Sequence, residues 1–101
     1  MYVQLIWRNN SGNMPNLIIS EIDEQNVETR KIEFFNDGYI GYAYDNIEFC
    51  ELPERHFRTG LSDQPFPRLD DINKDKDFFA VEITKDEFEA AWNKFVLKQD
   101  K

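Results

Sequence analysis

The stretch Glu28-Thr29-Arg30-Lys31-Ile32-Glu33-Phe34-Phe35-Asn36-Asp37-Gly38-Tyr39-Ile40-Gly41-Tyr42-Ala43-Tyr44 decides the fold. It reads as a β-hairpin. Two runs rich in β-branched and aromatic residues flank Asn36-Asp37-Gly38, and Asp-Gly supplies the positive φ that a tight hairpin turn needs. Side chains alternate across a strand, so Ile32 and Phe34 share one face of the first arm and Ile40 and Tyr42 one face of the second. Gly41 leaves room for a close neighbour or marks a bulge. An isolated hairpin is marginal in water, so the rest of the chain must cover it.

Working outward, Tyr2 to Arg8 alternates with Val3, Leu5 and Trp7 on one face, which predicts a first strand. Asn16 to Ile22 predicts a second, with a polar loop between them. Val27 and Thr29 are out of phase with Ile32 and Phe34, so a bulge near Arg30 is expected. Ile47 to Leu52 predicts a fifth strand with Ile47 and Phe49 facing inward. The segment from Pro53 to Pro67 is irregular, Arg68 to Ile72 suits one helical turn opened by Pro67, and Asp77 to Glu82 reads as extended or irregular. Thr84 followed by Glu87 is a capping box, Ile83 and Phe88 fit a hydrophobic staple, and Phe88, Ala91, Trp92 and Phe95 form one helical stripe. The expected fold class is α+β: an antiparallel sheet of about five strands with one C-terminal helix packed on it, in a single domain over residues 1–101.

Composition narrows the function. The formal net charge is −8, which argues against direct binding to nucleic acid or to an anionic membrane, since phosphates attract Lys and Arg. It suits a basic protein partner. Cys50 is the single cysteine, in an apolar setting, and cannot form an internal disulfide; a buried thiol in a reducing cytoplasm is expected. Met1 to Trp7 lacks the basic-then-apolar pattern of a signal peptide, and no apolar run approaches membrane-spanning length.

Few constellations suit chemistry. Asp71, Asn73, Asp75, Asp77 and Glu82 fall at the ligand offsets of an EF-hand loop, but Lys76 stands where the sharp turn needs Gly, so an exposed acidic loop is the better reading. A nucleophile–base pair would need Cys50 to meet His56 with Glu54 orienting it, and nothing in the spacing favours that. One cysteine and one histidine are too few for a zinc site. No metal, cofactor or catalytic residue is expected, and the chain does not read as an enzyme. Two acidic stretches remain: Asp45, Glu48, Glu51 and Glu54, then Asp63, Asp70, Asp71, Asp75 and Asp77. On one rim they would make a negative surface suited to a cationic protein.

The chain also resembles a family of small bacterial proteins. The residues carrying the likeness are Trp7, Ser20-Glu21-Ile22-Asp23, Glu28 to Glu33, Phe35-Asn36-Asp37-Gly38 and Gly41-Tyr42-Ala43. Thr59-Gly60-Leu61, Pro65 to Pro67, Leu69-Asp70-Asp71-Ile72, Phe79, Glu82-Ile83-Thr84, Glu87-Phe88-Glu89 and Trp92 continue it over nearly the whole chain. Arg8 and Asn9 depart from it, standing where a histidine is common. Members look like immunity proteins of polymorphic and contact-dependent growth-inhibition toxin systems. The resemblance implies a cytoplasmic monomer that binds a cognate toxin C-terminal domain one-to-one and covers its active site. An acidic inhibitor fits a basic nuclease, with contacts at Asp45, Glu48, Glu51, Glu54, Asp70 and Asp71 and an aromatic anchor at Phe57 or Phe66. The alternative is a small intracellular binding or regulatory module with an unrelated partner.

Overall fold

The computed structural model describes residues 1–11, 14–52 and 59–98. Its strands are β1 (Tyr2–Trp7), β2 (Leu17–Ile22), β3 (Glu28–Phe34), β4 (Ile40–Tyr44), β5 (Ile47–Cys50) and β6 (Phe78–Ile83). Helix α1 is the single turn Leu69–Ile72, and α2 (Lys85–Trp92) runs on into a π-helical turn, Asn93–Leu97. The strands form one antiparallel sheet in the order β5-β4-β3-β2-β1-β6. The α+β class stands, with a sixth strand where residues 77–82 were expected to be extended or irregular. That segment pairs residue for residue with β1, from Tyr2↔Ile83 to Trp7↔Phe78.

The central hairpin forms as its turn chemistry requires. Gly38 takes φ +86° and donates its N–H to the Phe35 carbonyl at 3.0 Å. Phe35 N–H bonds the Tyr39 carbonyl at 3.0 Å, closing a three-residue loop with glycine in the left-handed position. The expected bulge lies one residue before Arg30: the register passes from Glu21↔Arg30 to Ile22↔Glu28, leaving Thr29 unpaired. This slip puts Glu28 on the same face as Ser20 and Ile22.

One face of the sheet carries the main core. Ile19, Ile32, Ile40 and Tyr42 pack on Phe88, Trp92 and Val96 of the C-terminal helix. Thr84 and Glu87 form both halves of the capping box, which fixes where α2 begins. The π-helical turn admits an extra residue, so Phe95 meets Phe34 edge-on at 4.9 Å while the adjacent Val96 is fully buried. Arg30 ties this helix to the sheet. Its guanidinium meets Glu21 at 2.6 and 2.8 Å and Glu89 at 2.9 and 3.1 Å, and lies over the rings of Phe88 and Trp92. Ile47 departs from expectation: it is 43% exposed, because the helix covers β2 to β4 and leaves the outer strand to Phe49.

The other face is covered by residues 59–72. Thr59 is buried directly over Gly41, where any Cβ would overlap the threonine hydroxyl, so Gly41 does accommodate a close neighbour. Beneath this strap lies a polar layer. Glu28 accepts from Ser20 Oγ at 3.0 Å, from Ser62 N–H at 3.0 Å and from Lys31 Nζ at 3.1 Å. Glu33 is 2% exposed, and burial raises its carboxyl pKa. The nearby Thr59 hydroxyl and Lys31 ammonium pull it down, yet neither Glu33 Oε1 nor Thr59 Oγ1 completes a hydrogen bond. Val3, Ile22 and Ala80 form a second apolar cluster, flanked by Phe66, Leu69 and Ile72. Cys50 is buried in a third, with Phe35 and Leu52.

Two asparagine side chains fasten this covering. Asn26, at φ +66°, donates its side-chain Nδ2 to the Phe66 carbonyl at 2.7 Å, and its backbone carbonyl accepts Phe66 N–H at 2.8 Å. Asn73 follows α1 and grips β6 from outside: its Nδ2 donates to the Ala80 carbonyl at 2.8 Å and its Oδ1 accepts Ala80 N–H at 2.6 Å.

Candidate functional site: an acidic end of the sheet

The strand register brings together connections that are far apart in sequence. Tyr2 pairs with both Glu21 and Ile83, Ile22 pairs with Glu28, and Tyr44 pairs with Ile47. The β2–β3 turn, the β4–β5 turn and the start of α2 therefore lie at one end of the sheet. These contribute Asp23, Glu24, Asp45, Asp86 and Glu87, all exposed; among the described residues the cations at this end are Lys85 and the Met1 ammonium, which donates to the Ile22 carbonyl at 2.9 Å beside Asp23 and Glu24. Six strands spaced about 4.8 Å apart make this row roughly 24 Å wide.

Local chemistry fixes several of these carboxylates. Asp23 Oδ1 accepts the N–H groups of Gln25 and Val27, both at 2.9 Å, and so shapes the β2–β3 turn. Glu87 Oε1 accepts from Thr84 N–H at 2.9 Å, which lowers the Glu87 pKa and keeps the group charged in mild acid. Asp45 stands at φ +51° in the β4–β5 turn, a conformation that Asp tolerates better than most residues. Glu21 and Glu89 also lie toward this end, but Arg30 neutralises them and holds the Glu21 carboxyl at about 2.

The residues singled out in the sequence divide. Asp45 belongs to the acidic end, and Glu48 is exposed on β5 with its carboxylate beside Gly60. Glu51 is committed to the fold, since its Oε1 accepts Ile40 N–H at 2.8 Å. Asp70 and Asp71 are exposed on α1, which packs beside β6 at the sheet edge opposite β5, and they pair with Arg68 at 3.7 Å and Lys74 at 3.2 Å. The two acidic stretches thus do not share a rim. Phe66 is not an exposed anchor: it is half-buried against the second apolar cluster. Glu54 and Phe57 lie outside the described residues, as does His56.

Sequence reasoning missed Asp23, Glu24, Asp86 and Glu87 as partners of Asp45. The signal was available in the alternation of hairpin ends, because every second connection of an antiparallel sheet returns to the same end. The EF-hand spacing has no geometric counterpart. Asn73 Oδ1 is occupied by Ala80 N–H, Asp75 Oδ1 accepts Asp77 N–H at 2.9 Å, and Glu82 lies in β6. Among the described residues, no three His, Cys, Asp or Glu side chains are gathered to hold a metal ion, and no helix is long and apolar enough to cross a membrane.

The family model for a domain of unknown function, DUF6881, matches residues 1–97. The chain belongs to this family. No curated protein and no solved structure matches it. The DUF6881 match spans both faces of the sheet, from β1 to the π-helical turn, and so takes in the whole of the acidic end.

Proposed function

We infer that this DUF6881 chain acts as an immunity protein: it binds a basic toxin domain, such as a nuclease, and covers its active site. The acidic end carries the reading. Five exposed carboxylates from three separate connections outnumber the Lys85 and Met1 ammonium groups among them and form a negative row on a scaffold held by the sheet and α2. A nuclease cleft that binds phosphates presents Lys and Arg, and carboxylates of this kind can take the place of phosphates. The long-range field of a chain at net charge −8 accelerates such an encounter. The resemblance to toxin-immunity proteins points to the same class of partner.

The test is co-expression with the toxin domain encoded beside the gene, followed by co-purification and stopped-flow association. A tight one-to-one complex is expected, with an on-rate that falls steeply as salt rises. The triple variant Asp23→Lys, Glu24→Lys, Asp45→Lys should slow association at least about tenfold at low salt. The pair Asp70→Lys, Asp71→Lys, near the opposite edge, should change it little. No complex, or a complex whose on-rate ignores both salt and the triple variant, overturns the reading.

A further inference from the structure

On the strap-covered face, next to β6, a cavity of about 430 Å³ opens between two separately fastened walls. Leu5 and Phe78 form its floor, Phe66-Pro67 one wall, and Ile72 the other. The lining is almost wholly apolar, and its acidic residues are Asp71 and Asp75. We propose that this cavity is a binding site for a small amphipathic cation, an aromatic or branched aliphatic amine whose apolar body fills the cleft while its ammonium lies between Asp71 and Asp75.

Apolar clefts normally close by collapse of their walls. Here both walls are pinned from behind. Phe66 is held by its paired bonds with Asn26, at 2.7 and 2.8 Å, and the α1 wall is held by the Asn73–Ala80 pair, at 2.6 and 2.8 Å. Pro67 stiffens the first wall further. As a result Leu5, Phe66, Ile72 and Phe78 stay half-buried, although their neighbours Val3 and Ala80 are fully packed. A preformed apolar cleft of this size, with a few convergent polar groups, is the usual form of a small-molecule site and takes a ligand of about ten to twenty non-hydrogen atoms.

The sign of the ligand follows from its polar groups. Asp71 Oδ1 meets Lys74 Nζ at 3.2 Å, and Asp75 Oδ1 accepts Asp77 N–H. Each carboxylate thereby keeps its second oxygen for an incoming donor. Lys74 is 78% exposed and can swing into solvent when another cation arrives. The face of Phe66 or Phe78 favours a cation as well.

The test uses the isolated chain, so its result is independent of any complex formed at the acidic end. Backbone amide shifts are followed by NMR during titration with 2-naphthylmethylamine, 2-naphthylmethanol and 2-naphthoate. Saturable shifts are expected around Leu5, Phe66, Ile72 and Phe78 with the amine. The alcohol should bind about fivefold more weakly, the ratio that two part-exposed ion pairs give, and the carboxylate should not saturate. The double variant Asp71→Asn, Asp75→Asn should reduce amine binding to the level of the alcohol while leaving distant amides unmoved. Equal binding of all three probes, shifts confined to other surfaces, or no saturation overturns the proposal. So does tighter binding of N-acetyl-arginine methylamide than of the naphthyl amine, which would assign the cleft to a basic side chain of a protein.

Discussion

Arg30 and Glu89 meet as two parallel forks: Nη1 to Oε1 at 3.1 Å and Nη2 to Oε2 at 2.9 Å, joining β3 to α2. The same guanidinium holds Glu21 on its other side and stacks on Phe88 and Trp92, 4.8 and 5.0 Å from the ring centroids. Arg30→Ala should therefore destabilise the fold by about 2–3 kcal/mol, since it strands two carboxylates and uncovers two rings. Arg30→Lys should recover less than half of that, because an ammonium cannot engage both carboxylates bidentately. Urea unfolding with an unchanged m-value measures both.

Acid should weaken the same clamp in a defined window. The Arg30 guanidinium holds the Glu21 carboxyl at about 2, below its unfolded value of 4.5, and also lowers Glu89. A depressed folded pKa stabilises the protein above the unfolded value, and that contribution is lost as pH falls toward 2. Thermal stability should drop between about pH 4.5 and 2, with Glu21 supplying on the order of 1–2 kcal/mol after allowance for its partial exposure. Glu21→Gln should flatten this part of the profile.

Glu33 should behave in the opposite sense. Burial raises its carboxyl, so it favours folding below the unfolded pKa and loses that benefit as pH rises through the folded one. Glu33→Gln should raise stability at pH 7 by about 1 kcal/mol, or roughly 4–8 °C in melting temperature, and should make no difference near pH 4. A destabilising effect at pH 7 would show that the charged form is held favourably by Lys31 and Thr59.

Gly41→Ala should cost about 2–3 kcal/mol, because the new methyl meets the Thr59 hydroxyl and approaches the Phe49 carbonyl oxygen to 3.1 Å. Thr59→Ala in the same chain should recover about half of the loss, a non-additivity that a double-mutant cycle by thermal melting reads directly.

The sheet and its principal helix were legible because their signals are local. Asp37-Gly38 marked the hairpin, Thr84 and Glu87 marked the start of α2, and the break in phase between Thr29 and Ile32 marked the bulge. β6 was harder to read. Phe78-Phe79 interrupts the alternation, and the strand's partner lies at the opposite end of the chain. The faces of β3 were read correctly at Ile32 and Phe34, but no pattern announces that Ser20, Glu28, Lys31 and Glu33 form a buried polar layer. Such a layer depends on the strap above it. The acidic end was only partly legible, since charges were grouped by proximity along the chain whereas the register groups them by sheet end. Asn26 read as part of a short polar turn and Asn73 as one position of an EF-hand-like spacing, yet their bonds hold the strap and α1 in place.

The Asn73 amide has a consequence for self-association. At Ala80 it offers one donor and one acceptor, which is what the next strand of a growing sheet would offer. Two residues earlier, Phe78 N–H is already taken by the Asp75 carbonyl at 3.1 Å. The Phe78–Ala80 part of a border that could template fibrils or edge-to-edge dimers is thus occupied by the chain itself. Replacing Asn73 with Leu would reopen it, and the first sign should be turbidity at high concentration before any loss of the folded monomer.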